Sequence, residues 1–168
     1  MGGGALEEAV SLAGLFFGKG PVVQVCDYRQ RVHRRDDTDG DVLYAGPLVV
    51  LVDRLSASAS EIVAAALQDY HRAVVVGEQS THGKGTVQTV YSLDQLLSRT
   101  NLFEGQRGGS LKFTIQKFYR VDGGSTQIKG VVPDIVVPSP FDRSDYGEER
   151  FDNAMPWSHI ETELYTPM

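Results

Sequence analysis

Cysteine occurs once, at Cys26, so no internal disulfide can brace this chain, and its thiol content decides nothing about the redox state of its compartment. Long apolar runs are missing too: none approaches the ~20 residues that a membrane-spanning helix needs. The N-terminus lacks the charged-then-apolar pattern of a secretory leader. Positive charge is in deficit, 16 Lys and Arg against 22 Asp and Glu, for a net charge of −6. Such a chain repels a phosphate backbone, which argues against a nucleic-acid binder. Its one basic cluster, Arg29, Arg31, His33, Arg34 and Arg35, runs straight into Asp36, Asp37 and Asp39 and reads as a self-compensated, solvated loop. No grouping of His, Cys, Asp and Glu has metal-site spacing, and no cofactor is expected. Internal repeats are absent as well.

What is present is an ordinary globular composition, 41% hydrophobic over 168 residues, enough for one real core. Met1-Gly2-Gly3-Gly4 leads directly into a helical pattern, an unusual start for a domain, and the chain is expected to be a fragment of a larger multidomain protein. Leu6, Ala9, Val10, Ala13 and Phe17 form a helical stripe over Ala5 to Phe17, stopped by Gly18-Lys19-Gly20-Pro21. Val22 to Val25 is a short strand, Val42 to Tyr44 a candidate strand, and the charged stretch from Asp27 to Gly40 an exposed hairpin. The continuous apolar run Leu48 to Val52 predicts a strand buried on both faces of a sheet. Ser58 to Tyr70 predicts a largely buried helix, followed by strands over Ala73 to Val76 and Gly85 to Tyr91. Leu111, Phe113 and Ile115 alternate in a half-buried strand, Gly123-Gly124-Ser125 turns, and Val131 to Val137 is apolar. From Pro138 onward the chain is expected to wander over a surface. Strands alternating with helices predict an α/β architecture.

Chemistry concentrates between Asp53 and Thr86. Ser56, Ser58 and Ser60 cluster where a strand turns into a helix, and Lys84 follows one strand later between Gly83 and Gly85. Serine is a poor nucleophile until a neighbouring base takes its proton, and lysine serves only where it has lost its own. A structural role competes for Ser58, because Ser58-Ala59-Ser60-Glu61 is also a capping box. The same helix start has a chemical use, since its free N–H groups point where an oxyanion would lie. Lys84 fails as a phosphate-loop lysine: five residues separate Gly77 from Gly83 where that motif has four. The esterase elbow Gly-x-Ser-x-Gly is also missing, because alanines flank Ser58. Of the four histidines only His82 is near, and a Ser58–His82 pair ranks below Ser58–Lys84.

The run Asp53-Arg54-Leu55-Ser56-Ala57-Ser58-Ala59-Ser60-Glu61-Ile62, with Gln68-Asp69-Tyr70, Val76-Gly77-Glu78 and Gly83-Lys84-Gly85-Thr86-Val87-Gln88, resembles the serine-lysine C-terminal processing peptidases. The similarity reaches from Gly2-Gly3-Gly4 through Phe113 to Arg120 and Gly130-Val131-Val132-Pro133-Asp134 as far as Trp157, nearly the whole chain. It implies a crotonase-like spiral of β-β-α units. It also implies Ser58 as nucleophile, Lys84 as general base, Gln88 as the residue that positions the lysine, and the amides of Gly3 and Ala59 as the oxyanion hole. Asp69 matches an aspartate important in one branch of the family. Residues 1–137 would be the catalytic core and 138–168 the start of a C-terminal extension, with the PDZ domain and signal peptide of such enzymes absent from this fragment. The implied substrates are proteins or peptides with apolar, unstructured C-terminal tails. A periplasmic setting and an adaptor protein for the parent are implied as well.

Geometry qualifies two of these roles. Asp69 lies eleven residues beyond Ser58, about 16 Å along a helix axis, so a supporting role is expected of it. Gln88 shares a face with Lys84 on a strand and reaches it only if the glycines bend the chain. The segment between Glu78 and Gly83 is one residue longer than the family pattern, which bears on where the lysine is held. The expected activity is serine endopeptidase cleavage near the C-terminus of protein substrates. The alternative is a non-catalytic crotonase-like module that binds peptides or acts as a scaffold.

Overall fold

The computed structural model describes residues 2–94, 108–139 and 146–168. Its elements run α1 (Leu6–Gly14), β1 (Gly20–Asp27), β2 (Val32–Asp37), β3 (Val49–Val52), α2 (Ala59–Asp69), β4 (Val74–Gly77), β5 (Thr86–Ser92), β6 (Ser110–Tyr119) and β7 (Ile135–Val136), with a 3₁₀ turn at Glu148–Arg150. They form a mixed α/β structure with two sheets. One is antiparallel, in the order β2-β1-β6-β5, and the other is parallel, in the order β3-β4-β7.

The helical stripe of α1 meets α2 and β1 in the main core, where Ala9, Val10, Ala13 and Phe17 pack with Val23, Val25, Ile62, Leu67 and Phe118. Phe17 stacks on Tyr70 with ring centroids 4.1 Å apart, and the Tyr70 hydroxyl donates to Pro21 O at 3.0 Å. Each such fully buried large side chain is worth about 1.5–3 kcal/mol. A second cluster joins α2 to the parallel sheet through Val52, Ala64, Ala65, Val75 and Val131. Helix α2 is thus wedged between the two sheets, and this fixes the end that begins at Ser58.

Two expectations are corrected. Leu48 to Val52 is buried on one face only: Val50 and Val52 point toward α2, whereas Val49 and Leu51 are 58% and 78% exposed, because α2 covers one face of the parallel sheet and the other, with Val74 and Ile135, is left open. Val42 to Tyr44 is not a strand. It crosses the end of α1 instead, where the Leu43 amide donates to Leu15 O. Beyond Pro138 the described residues do run over the surface, as expected, and they are tied down there: Trp157 Nε1 donates to Ser125 O at 2.8 Å, and Tyr165 packs against Tyr70. Residues 140–145 of that stretch lie outside the described residues. The charged hairpin does form, with β2 paired to β1 from Val32 to Asp37.

Candidate active site

The three serines are separated by the turn that carries them. Ser56 is buried, and its hydroxyl donates to Asp53 Oδ1 at 2.8 Å, so it serves the turn itself. Ser60 lies on α2 and lines an apolar cavity with Gly3, Val50 and Val63. Ser58 stands at the apex with φ +58 and ψ −114, a conformation that costs a non-glycine residue about 1–3 kcal/mol. Its amide donates to Glu61 Oε2 at 2.7 Å, which is the carboxylate half of the capping box. Ser58 thus holds a strained conformation at the helix start without the flanking glycines that the sequence lacks.

The glycine run closes over this apex. Gly3 has φ +91, and a Cβ there would lie 2.9 Å from Ala57 O, 3.0 Å from Ser58 Cβ and 3.4 Å from Ala59 N. Only glycine allows such an approach, and it brings the backbone of Gly3 beside the amide of Ala59.

Lys84 arrives on a loop held from both sides. The Thr81 hydroxyl donates to Glu61 Oε1 at 2.6 Å, the Gly83 amide to the same oxygen at 2.8 Å, and the Lys84 amide to Glu61 Oε2 at 3.0 Å. At Gly83, φ is +90 and a Cβ would fall 2.7 Å from Ile128 O. Lys84 Nζ donates to Gln88 Oε1 at 3.0 Å, a contact made across Gly85 and a bulge between Val87 and Gln88. Ser58, Ala59, Lys84 and Gln88 line one cavity of about 240 Å³, together with Gly2, Gly4 and Lys112. Ser58 and Lys84 are both half-buried and share this cavity without a direct hydrogen bond. Apo sites are commonly loose in this way.

The remaining candidates stand elsewhere. His82 faces Glu148, with Nε2 3.6 Å from Oε2, and its amide donates to Ser56 O. Asp69 lies at the far end of α2, where it is ion-paired and hydrogen-bonded to Arg120. Burial raises the Asp69 pKa, against the opposing pull of that guanidinium. Sequence reasoning missed Glu61 as a link between segments: it is fully buried and accepts from Ser58, Thr81, Gly83 and Lys84. Burial pushes its pKa up to about 7, with its four donors pulling the other way. The Ser-x-x-Glu signal marked it only as a helix cap. Arg120 and Lys112 carried no local signal. Among the described residues no cluster of His, Cys, Asp and Glu could hold a metal, and no helix is long and apolar enough to cross a membrane.

A strained serine at a helix start, a glycine segment pressed against it and a lysine on a facing loop come together around one cavity of an α/β scaffold. The chain belongs to peptidase family S41, whose family model matches residues 1–137. It is 52% identical to the tail-specific protease of Haemophilus influenzae over 166 residues, which span 98% of this chain and 23% of that protein. To the carboxy-terminal-processing protease of Bartonella bacilliformis it is 41% identical over 139 residues, spanning 82% of this chain and 29% of that one. The chain thus spans under a third of the length of these curated relatives, 23% and 29%. Among solved structures, the photosystem II D1 C-terminal processing protease matches with a TM-score of 0.66 and 33% identity, covering 81% of this chain and 32% of that one.

Proposed function

We propose that this chain is the catalytic core of a serine endopeptidase that cleaves protein substrates near their C-termini, with Ser58 as nucleophile and Lys84 as general base. The observation that carries the reading is the shared cavity: a strained Ser58, the Ala59 amide, Lys84 and its partner Gln88 converge on one space. Ser58 Oγ attacks the scissile carbonyl while Lys84 Nζ takes its proton, and the oxyanion rests on the amides of Ala59 and Gly3. Lys84 then gives that proton to the leaving amine, and the acyl-enzyme is released by water that Lys84 deprotonates in turn. Gln88 aims the ammonium through its carbonyl oxygen. Asp69 supports the fold through Arg120 and does not act on substrate.

The preference for apolar tails has its own support. On the other side of the Ser58 turn lies a cavity of about 420 Å³ lined by Leu12, Val50, Val52, Val63 and Ala64, suited to an apolar side chain beside the cleaved bond. We read the two sheets and α2 as part of a crotonase-like spiral of β-β-α units, with residues 1–137 as core and 138–168 as the start of an extension. We place the parent in the periplasm, with a tail-binding domain and an adaptor, as the resemblance of the sequence implies. The missing Ser58–Lys84 hydrogen bond favours one rival, a non-catalytic module that binds peptides.

One experiment separates the two readings. Substrates with an apolar and with a charged tail are offered to the full-length protein and to its Ser58→Ala and Lys84→Ala forms. Cleavage of the apolar-tailed substrate is expected to fall by about 10²–10⁴-fold or more in each variant, with the fold unchanged by circular dichroism. Full activity in Lys84→Ala overturns the mechanism, and equal binding without cleavage in the wild type establishes the rival.

A further inference from the structure

A serine and a lysine that act together must be brought from two segments, and here one side chain ties those segments to each other. Glu61 Oε2 accepts the amides of Ser58 at 2.7 Å and Lys84 at 3.0 Å, so a single oxygen bridges the two residues of the pair. Its Oε1 accepts the Thr81 hydroxyl at 2.6 Å and the Gly83 amide at 2.8 Å. The acceptor positions of the carboxylate are all filled by donors. Helix capping needs only the Ser58 contact, so the other three have a different purpose.

We propose that Glu61 is the positioning residue of this site: its buried carboxylate, and not the length of the Lys84 loop, fixes Lys84 opposite Ser58. This rests on the Ser58–Lys84 reading. The hydrogen bonding of the loop shows where the slack of its added residue goes. From Thr81 onward each successive amide is engaged: Thr81 with Val131 O, His82 with Ser56 O, Gly83 and Lys84 with Glu61, and Gly85 with Gln127 Oε1. Upstream of Thr81, Gln79 is exposed. Extra length is taken up there, and the lysine stays in register. A neutral amide cannot replace the carboxylate, because Glu61→Gln keeps one accepting oxygen and sets an NH₂ group against two N–H donors.

The test is amide hydrogen exchange with steady-state kinetics on the full-length protein, comparing wild type, Glu61→Gln and a deletion of Gln79. In folded Glu61→Gln, the amides of Ser58, Gly83 and Lys84 are expected to exchange about ten- to a hundredfold faster, as the loss of a charge-assisted hydrogen bond implies. kcat falls about 10²-fold while KM stays nearly constant, the signature of a misplaced base. Deleting Gln79 changes both readouts by no more than about threefold. Retained amide protection in Glu61→Gln, or a kcat loss on deleting Gln79 as large as that of Glu61→Gln, overturns the proposal. Should Glu61→Gln fail to fold, Thr81→Val takes its place. It is expected to speed exchange at Gly83 and Lys84 and to lower kcat, and Thr81→Ser, which restores the hydroxyl, is expected to recover both. Thr81→Val behaving as wild type overturns the proposal. A Ser58→Ala form that cleaves as well as wild type sinks the Ser58–Lys84 reading instead, and exchange tells the two failures apart because it reports the clasp without any catalysis.

Discussion

At Gly3 one methyl group decides whether the proposed oxyanion site is kept or displaced. Its Cβ would lie 2.9 Å from Ala57 O, on a residue whose φ of +91 already disfavours any side chain. Gly3→Ala is therefore expected to push the glycine segment off the Ser58 turn and lower kcat about 10²-fold, the usual cost of one oxyanion donor. Stability should change little, since Gly3 is exposed; kinetics beside a thermal melt checks both. Glu61 makes a separate prediction about pH. Its pKa in the folded protein, about 7, lies above the ordinary 4.5 because of burial. Between those values the folded state keeps a proton that the unfolded chain has lost. Stability relative to Glu61→Gln is thus fully present below about pH 4.5, falls as pH rises toward about 7 and is level above it, a total change of about 3 kcal/mol. Urea melts of both proteins from pH 5 to 8 measure this, and a difference that grows with pH contradicts it.

Among the elements, α2 is the one on which the site depends, and its two ends are secured differently. The N-terminal end is fixed by Glu61, and the C-terminal end by Asp69, whose side chain is 5% exposed and paired with Arg120 at 19%. Arg120 also donates to Gln68 at 3.0 Å, so the guanidinium staples the last turn of α2 to the end of β6. Asp69→Ala leaves a largely buried guanidinium with only the longer ionic contact to Asp122, 3.8 Å from Arg120 Nε, and is expected to cost about 3 kcal/mol, the low end for a broken buried pair. Turnover per folded molecule should be retained, because Asp69 does not line the Ser58–Lys84 cavity. Denaturation together with active-site titration checks both halves, and lost turnover at full stability would return Asp69 to the chemistry.

Across the whole molecule the two faces of the parallel sheet are unequal. Val50, Val52 and Val75 pack toward α2, whereas Val49, Leu51, Val74, Ile135 and Val137 leave an apolar surface open on the other side. Parallel sheets normally have both faces covered, and an open apolar patch of this kind drives association. The isolated chain is expected to self-associate, and Leu51→Lys with Val74→Thr to make it more monodisperse in sedimentation, each changing stability by no more than about 0.5 kcal/mol.

The sequence alone determined the local features. A 3.6-residue stripe placed α1, an almost wholly apolar segment placed α2, the charged hairpin was legible in its turn residues, and the Ser-x-x-Glu box marked where α2 begins. These patterns work over a few neighbouring residues, where propensity and capping act. They could not say which face of Leu48 to Val52 is covered, because an apolar run reads the same whether one face of its sheet is covered or both are. Nor could they tell whether Gln88 reaches Lys84, which needed a bulge against β6. Tertiary structure decided these, and it decided the site: Glu61 meets Lys84 from 23 residues away, and Asp69 meets Arg120 from 51. A buried charge must find its partners in space, and that pairing has no period in the chain.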